Sequence, residues 1–236
     1  MTPEQLALTV DVPKKYRSKL DHATKGLDQF PKLTKLLASI PVQKLIAGGP
    51  DETGLDIATG GQYAVKKMAV SDVADLPPIN SWETVIRINL ESKKFIGFID
   101  MVGDIYKEER AAGRLKALEK YKLDSLFAES NQQGLPLGKV SNFTMSLPFD
   151  QVDTALLVHE FGHHVMNNVL INQPKVAKFF QEVAGSAHDA GRSVSTYADS
   201  EPSEWWAETF TAYVFKPDEL KEFDHMSYEL MKAVGV

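Results

Sequence analysis

Apolar and polar positions change their spacing several times along the chain. In residues 3–46 the apolar ones recur at mixed three- and four-residue intervals, as with Leu33, Leu36, Leu37 and Ile40, and Pro13, Pro31 and Pro41 interrupt them. That pattern predicts short helices. Residues 47–61 (AGGPDETGLDIATGG) carry no periodic face and read as a loop. A phosphate cradle would call for a Gly-Lys-Ser/Thr run behind a clear strand, and neither is evident, so the segment reads as turns.

Two extended segments are predicted next, Gln62 to Val70 and Trp82 to Leu90. In the second, Ile86, Ile88 and Leu90 alternate with Arg87 and Asn89, and Val85 breaks the alternation. From Phe95 to Glu129 the spacing turns helical and densely charged (KEERAAGRLKALEKYK), with Gly103 and Gly113 as breaks. This is a solvated helix face to which no chemistry is assigned.

Asn131–Gly138 (NQQGLPLG) is polar and punctuated by glycine and proline, which marks a boundary. It separates residues 1–130, a mixed helix and strand region of unknown role, from residues 131–236. The second part is read as a strand at Lys139 to Ser146 and helices at Phe149 to Leu170, Pro174 to Ala187, Pro202 to Phe215 and Pro217 to Ala233. No internal repeat is visible. The expected class is α+β, mainly helical, with a small edge-stranded sheet.

With 236 residues, 43% apolar and 25% charged, the chain has the composition of an ordinary globular protein with a full core. Its net charge of −6 gives no support to nucleic acid or an anionic membrane as partner, and its one Lys/Arg-rich stretch is interleaved with glutamates. The absence of cysteine removes disulfides, thiolate metal sites and thiol nucleophiles, leaving imidazole and carboxylate as the metal ligands. The N-terminal residues lack the basic-then-apolar order of a signal peptide, and no apolar run is long enough to span a bilayer. The expectation is a soluble protein that is not Sec-exported in this form.

The chemistry concentrates in the helix expected from about residue 150. His159, Glu160, Phe161, Gly162 and His163 have the H-E-x-x-H spacing. Residues four apart share a helix face, so both imidazoles can reach one tetrahedral ion, and Glu160, turned by about 100°, can act as base without being a ligand. The motif arises by chance often enough that its context must support it. Ala155, Val158, Gly162, Val165 and Val169 form a stripe that would bury one side and leave the histidines on an adjacent edge, and Asp150 or Asp153 could cap the helix. The bland alternative is two surface histidines on an amphipathic helix.

A catalytic zinc site needs a third protein ligand and an open position, and Glu204 and Glu208 stand one turn apart early in a later helix. One carboxylate can bind the metal while the other holds the free ring N–H of a histidine ligand. Without the first helix they would read as acids favoured by the helix dipole.

HEFGH at 159–163 and the run from Thr196 to Phe210 (TYADSEPSEWWAETF) together resemble the gluzincin metallopeptidases, most closely the anthrax lethal factor catalytic-domain type. The match covers residues 140–215. It implies a zincin-like fold, zinc bound by His159, His163 and Glu204, Glu160 as general base, Glu208 in support of a ligand, and Tyr197 as a hydroxyl donor to the oxyanion. Its implied substrate is a protein or peptide. The compartment is left open: cytoplasmic or, by association with such enzymes, delivered as part of a toxin or phage particle. Here the paired aromatics are tryptophans, where the family pattern has phenylalanines.

Other residues carry competing readings. Tyr197 could be a packing residue. His164 is turned away from the 159/163 edge and reads as a surface or supporting histidine, and His22, His188 and His225 as incidental. Met166 and Val169 stand where a metzincin has glycine and a third histidine, which excludes that class. Trp205, Trp206, Phe210 and Tyr213 read as helix packing rather than a substrate platform. Asn142 to Ser146 is either a strand edge that pairs with an extended peptide or a strand paired within its own sheet. The competing function is a non-catalytic zinc-binding structural or assembly protein whose main role lies in the N-terminal region, although a purely structural site has no use for Glu160.

Overall fold

A computed structural model describes residues 1–56, 59–67, 82–91, 151–189, 192–195, 197–198 and 201–235. The chain divides into two compact units, Met1–Phe95 and Ile96–Val236, the second described from residue 151. The helix expected over Phe95 to Glu129, the boundary at Asn131–Gly138, and the strand at Lys139 to Ser146 with its edge at Asn142 to Ser146 lie outside the described residues. The fold class is α+β, with helices in both units and one small mixed sheet.

In the first unit, α1 (Pro3–Leu6) leads into β1 (Ala7–Asp11), followed by α2 (Lys14–Gly26) and α3 (Pro31–Ser39). Then come β2 (Val42–Gly48), α4 (Pro50–Thr53), β3 (Gly61–Lys67) and β4 (Trp82–Asn89). The prolines that seemed to interrupt helices instead mark element starts. Pro31 opens α3 and Pro13 caps α2, positions at which a missing N–H costs nothing.

The helices expected in residues 3–46 form, but two strands accompany them, and the expected loop at 47–61 contains the end of β2 and the single turn α4. β1 has only five residues and Ala7 alone is fully buried. β2 places Gln43 and Lys44 between Val42 and Leu45, which blurs its period.

The strands run in the order β1-β2-β4-β3, parallel between β1, β2 and β4, with β3 antiparallel at the edge. Leu45 of β2 pairs with Ile86 of β4, which also pairs with Tyr63 of β3. Val85 and Ile86 point to opposite faces and both are buried, so the sheet is covered on both sides there. That two-sided cover is why Val85 broke the alternation. Lys19 donates to the Leu90 carbonyl at 2.7 Å and the Tyr16 hydroxyl to Glu91, which tie α2 to the end of β4.

In the second unit, α5 (Val152–Asn172), α6 (Pro174–Asp189), α7 (Pro202–Phe215), α8 (Pro217–Phe223) and α9 (His225–Val234) pack on one another. The single helix expected over Pro217 to Ala233 is broken at Asp224, whose backbone is extended. Its carboxylate accepts from the Met226 N–H and, at 2.6 Å, from the Ser227 hydroxyl, so it caps α9. Arg192 reaches the same carboxylate at 3.2 Å.

The N-cap of α5 is Gln151, without a side-chain cap, and Asp153 sits in the first turn, where the helix dipole favours an acid. Asp150 lies outside the described residues. The stripe of Ala155, Val158, Gly162, Val165 and Val169 is buried as expected, but so are Leu157, Phe161 and His164. α5 is therefore a central helix rather than one with a single covered face. No described helix is long and apolar enough to cross a membrane.

Candidate metal centre

Two helices supply the centre, and a glycine brings them together. A Cβ on Gly162 would come within 3.2 Å of the Ala207 Cα and 3.3 Å of a Phe210 ring carbon. Glycine thus lets the backbones of α5 and α7 approach at the middle of the HEFGH run. Trp205, Trp206 and Phe210 are buried, and the Phe180 ring of α6 lies 5.9 and 5.2 Å from the two indoles. They are packing residues. Tyr213 is half-buried against Tyr228, 5.4 Å between centroids.

The close approach brings His159, His163 and Glu204 together, with one ligand-type atom from each lying within 4.8 Å of the others. Glu204 Oε2 is 3.2 Å from His159 Nε2 and 3.5 Å from His163 Nε2. The two imidazoles meet edge to face at 5.0 Å. Oε2 is buried, with the two imidazole nitrogens as its polar neighbours. Two ring nitrogens and a carboxylate oxygen converging on one point are a donor set that zinc fits, and cysteine is absent to offer another.

Glu208, one turn beyond Glu204, takes the other side of the first imidazole, its Oε1 lying 2.8 Å from His159 Nδ1. This is the arrangement in which a carboxylate orients a ligand histidine and fixes its tautomer. Glu160 is 4% exposed, and its charge is felt at both His159 and Tyr197. Tyr197 is 53% exposed, so its ring is not a core packing group. It stacks on His159 at 6.1 Å between centroids and 29° between planes.

The electrostatics match this crowding of carboxylates. Burial disfavours a charged His159, but Glu204 and Glu208 outweigh it and push its pKa up to about 10. Burial raises the Glu204 carboxyl, and the two imidazoles more than reverse that, bringing it down to about 2. The Tyr197 phenol is pushed up by burial and by the Glu204 charge, so it stays a hydrogen-bond donor at neutral pH.

His164 is neither a surface residue nor in the ligand group. It is buried, its ring set edge-on to Phe161 at 6.4 Å, and Asn168 donates to its carbonyl at 2.8 Å. His22 and His225 are exposed, His225 stacking on Tyr228. The His188 side chain lies outside the described residues. Sequence reasoning missed Ser195, whose hydroxyl donates to Glu208 Oε2 at 2.9 Å. The available signal was local: a serine able to accept the N–H three residues on, just before the candidate tyrosine. No family model, curated protein or solved structure matches the chain.

Proposed function

We propose that the chain is a zinc-dependent endopeptidase hydrolysing peptide bonds in a protein or peptide substrate. The observation that carries this reading is the convergence of His159 Nε2, His163 Nε2 and Glu204 Oε2, with Glu208 on the far nitrogen of His159. The resemblance to the gluzincins supplies the reaction class, and the negative net charge favours a protein substrate over nucleic acid.

His159, His163 and Glu204 would hold the ion, which when bound would supply Lewis acidity to a water and to the scissile carbonyl. Glu160 takes the proton of the attacking water and passes it to the leaving amine. The Tyr197 hydroxyl donates to the oxyanion that develops on the carbonyl. Glu208 keeps His159 in the tautomer that presents Nε2 to the metal. A buried acid such as Glu160 beside the ligands also argues for catalysis over a purely structural zinc site, which is closed and needs no base.

Glu160→Gln tests the assignment. It keeps full zinc content and loses about 10²- to 10⁴-fold in peptide cleavage. Cleavage at the parent rate by the fully loaded variant contradicts the reading.

A further inference from the structure

One hydroxyl joins the two halves of the centre. Ser195 Oγ donates to Glu208 Oε2 and accepts the Ala198 N–H, each at 2.9 Å. The other oxygen of Glu208 holds His159 Nδ1, and Tyr197, inside the Ser195–Ala198 turn, lays its ring over the same imidazole. The contacts close a circuit: Ser195 to Glu208, Glu208 to His159, His159 to Tyr197, and Tyr197 back through the turn to Ser195.

Glu208 reaches His159 across a flexible side chain that is 28% exposed, so a second bond on Oε2 is what holds Oε1 in line with Nδ1. Tyr197 is half exposed and also meets the Glu204 carboxylate, while Val194 and Ala198 on either side are buried and anchor the backbone that carries it. Ser195 has one proton to give and lone pairs to accept with, and it uses both functions in these two bonds.

We propose that Ser195 is a positioning residue, whose hydroxyl sets the orientation of Glu208, and hence of His159, together with the turn that presents Tyr197. The inference rests on the peptidase reading above. It adds that one side chain ties the orientation of His159 to the backbone that carries Tyr197.

Ser195→Ala and Ser195→Thr in the full chain, each assayed for zinc affinity by chelator competition, for Co²⁺ visible absorption and for peptide kinetics, provide the test. Ser195→Ala still takes one zinc at saturation, but its zinc Kd rises about tenfold and its Co²⁺ bands shift. Its kcat falls about tenfold or more, with KM little changed. Ser195→Thr restores all three readouts to within about threefold of the parent, because the hydroxyl is kept. In a double-mutant cycle with Glu208→Ala, the zinc penalties are not additive, as a shared link requires.

If Ser195→Ala does not fold, Ser195→Asp keeps a turn acceptor for the Ala198 N–H but offers Glu208 no donor, and shows at least the same zinc loss. A folded Ser195→Ala with parental zinc affinity and Co²⁺ spectrum, or additive penalties in the cycle, overturns the proposal. A parent that binds zinc but cleaves nothing sinks the peptidase reading, while the affinity and cobalt readouts still decide the role of Ser195. A parent that binds no zinc sinks both.

Discussion

Glu208 Oε1 stands 2.8 Å from Nδ1 of His159, while Nε2 of the same ring faces Glu204 Oε2 at 3.2 Å. The imidazole is thus gripped from both ends by two acids one turn apart on α7. The carboxylate on Nδ1 orients the ring, and the one on Nε2 shares with it the point proposed for the metal. A swap of the two glutamates would need Glu208 to leave a hydrogen-bonded position and Glu204 to reach past the ring.

Removing the orienting carboxylate should weaken metal binding without abolishing it. Glu208→Ala is expected to raise the zinc Kd about 10- to 100-fold while stoichiometry at saturation stays at one. Chelator competition measures this. A variant that takes no zinc at all would make Glu208 a ligand and return Glu204 to the supporting role.

The metal-free protein should weaken as pH rises from 7 to 9. His159 has a folded-state pKa of about 10 against its ordinary 6.5, so its contribution to stability is complete below pH 6.5 and is lost as pH rises through about 10. Glu204, lowered to about 2 from 4.5, contributes above pH 4.5 and loses that only as pH falls through about 2. Zinc binding needs a neutral His159, so it releases a proton in this window and its apparent affinity gains about tenfold per pH unit. Melting curves with and without zinc, from pH 7 to 9, should therefore diverge. Parallel curves would show that His159 is not held protonated in the metal-free state.

Glycine at 162 should be necessary where glycine at 185 is not. Alanine is favoured over glycine in a helix by about 1 kcal/mol, so Gly185→Ala, with open space around its Cβ, should stabilise by about that amount. At Gly162 the added methyl meets the Ala207 backbone at 3.2 Å, and separating α5 from α7 should cost about 1–3 kcal/mol. Denaturant unfolding of the two variants checks the opposite signs, and Gly162→Ala should also weaken zinc binding because its ligands sit on both helices.

The helices of the second unit were legible because proline marked their starts: Pro174, Pro202 and Pro217 each open one. The break at Asp224 was hidden, since a cap inside a continuous apolar period shows itself only when Ser227 and Arg192 converge on it. β1 was missed because it is five residues long with Ala7 alone buried, and β2 because Gln43 and Lys44 between Val42 and Leu45 blur the alternation by which strands are read.

At the site, i and i+4 spacing announced His159 with His163 and Glu204 with Glu208, since one helix turn fixes each pair. Gly162 was visible only as an apolar-stripe residue. Its role depends on Ala207, 45 residues away, which no local pattern encodes. The link from Ser195 to Glu208 is tertiary in the same way.

The most direct test of the central claim is zinc content by elemental analysis on the purified parent and on Glu204→Ala, followed by peptide-library cleavage with and without chelator. The account predicts about one zinc per parent chain and chelator-sensitive cleavage, both lost in Glu204→Ala. A parent that binds no zinc when zinc is supplied, or a Glu204→Ala variant that binds zinc and cleaves like the parent, would contradict it.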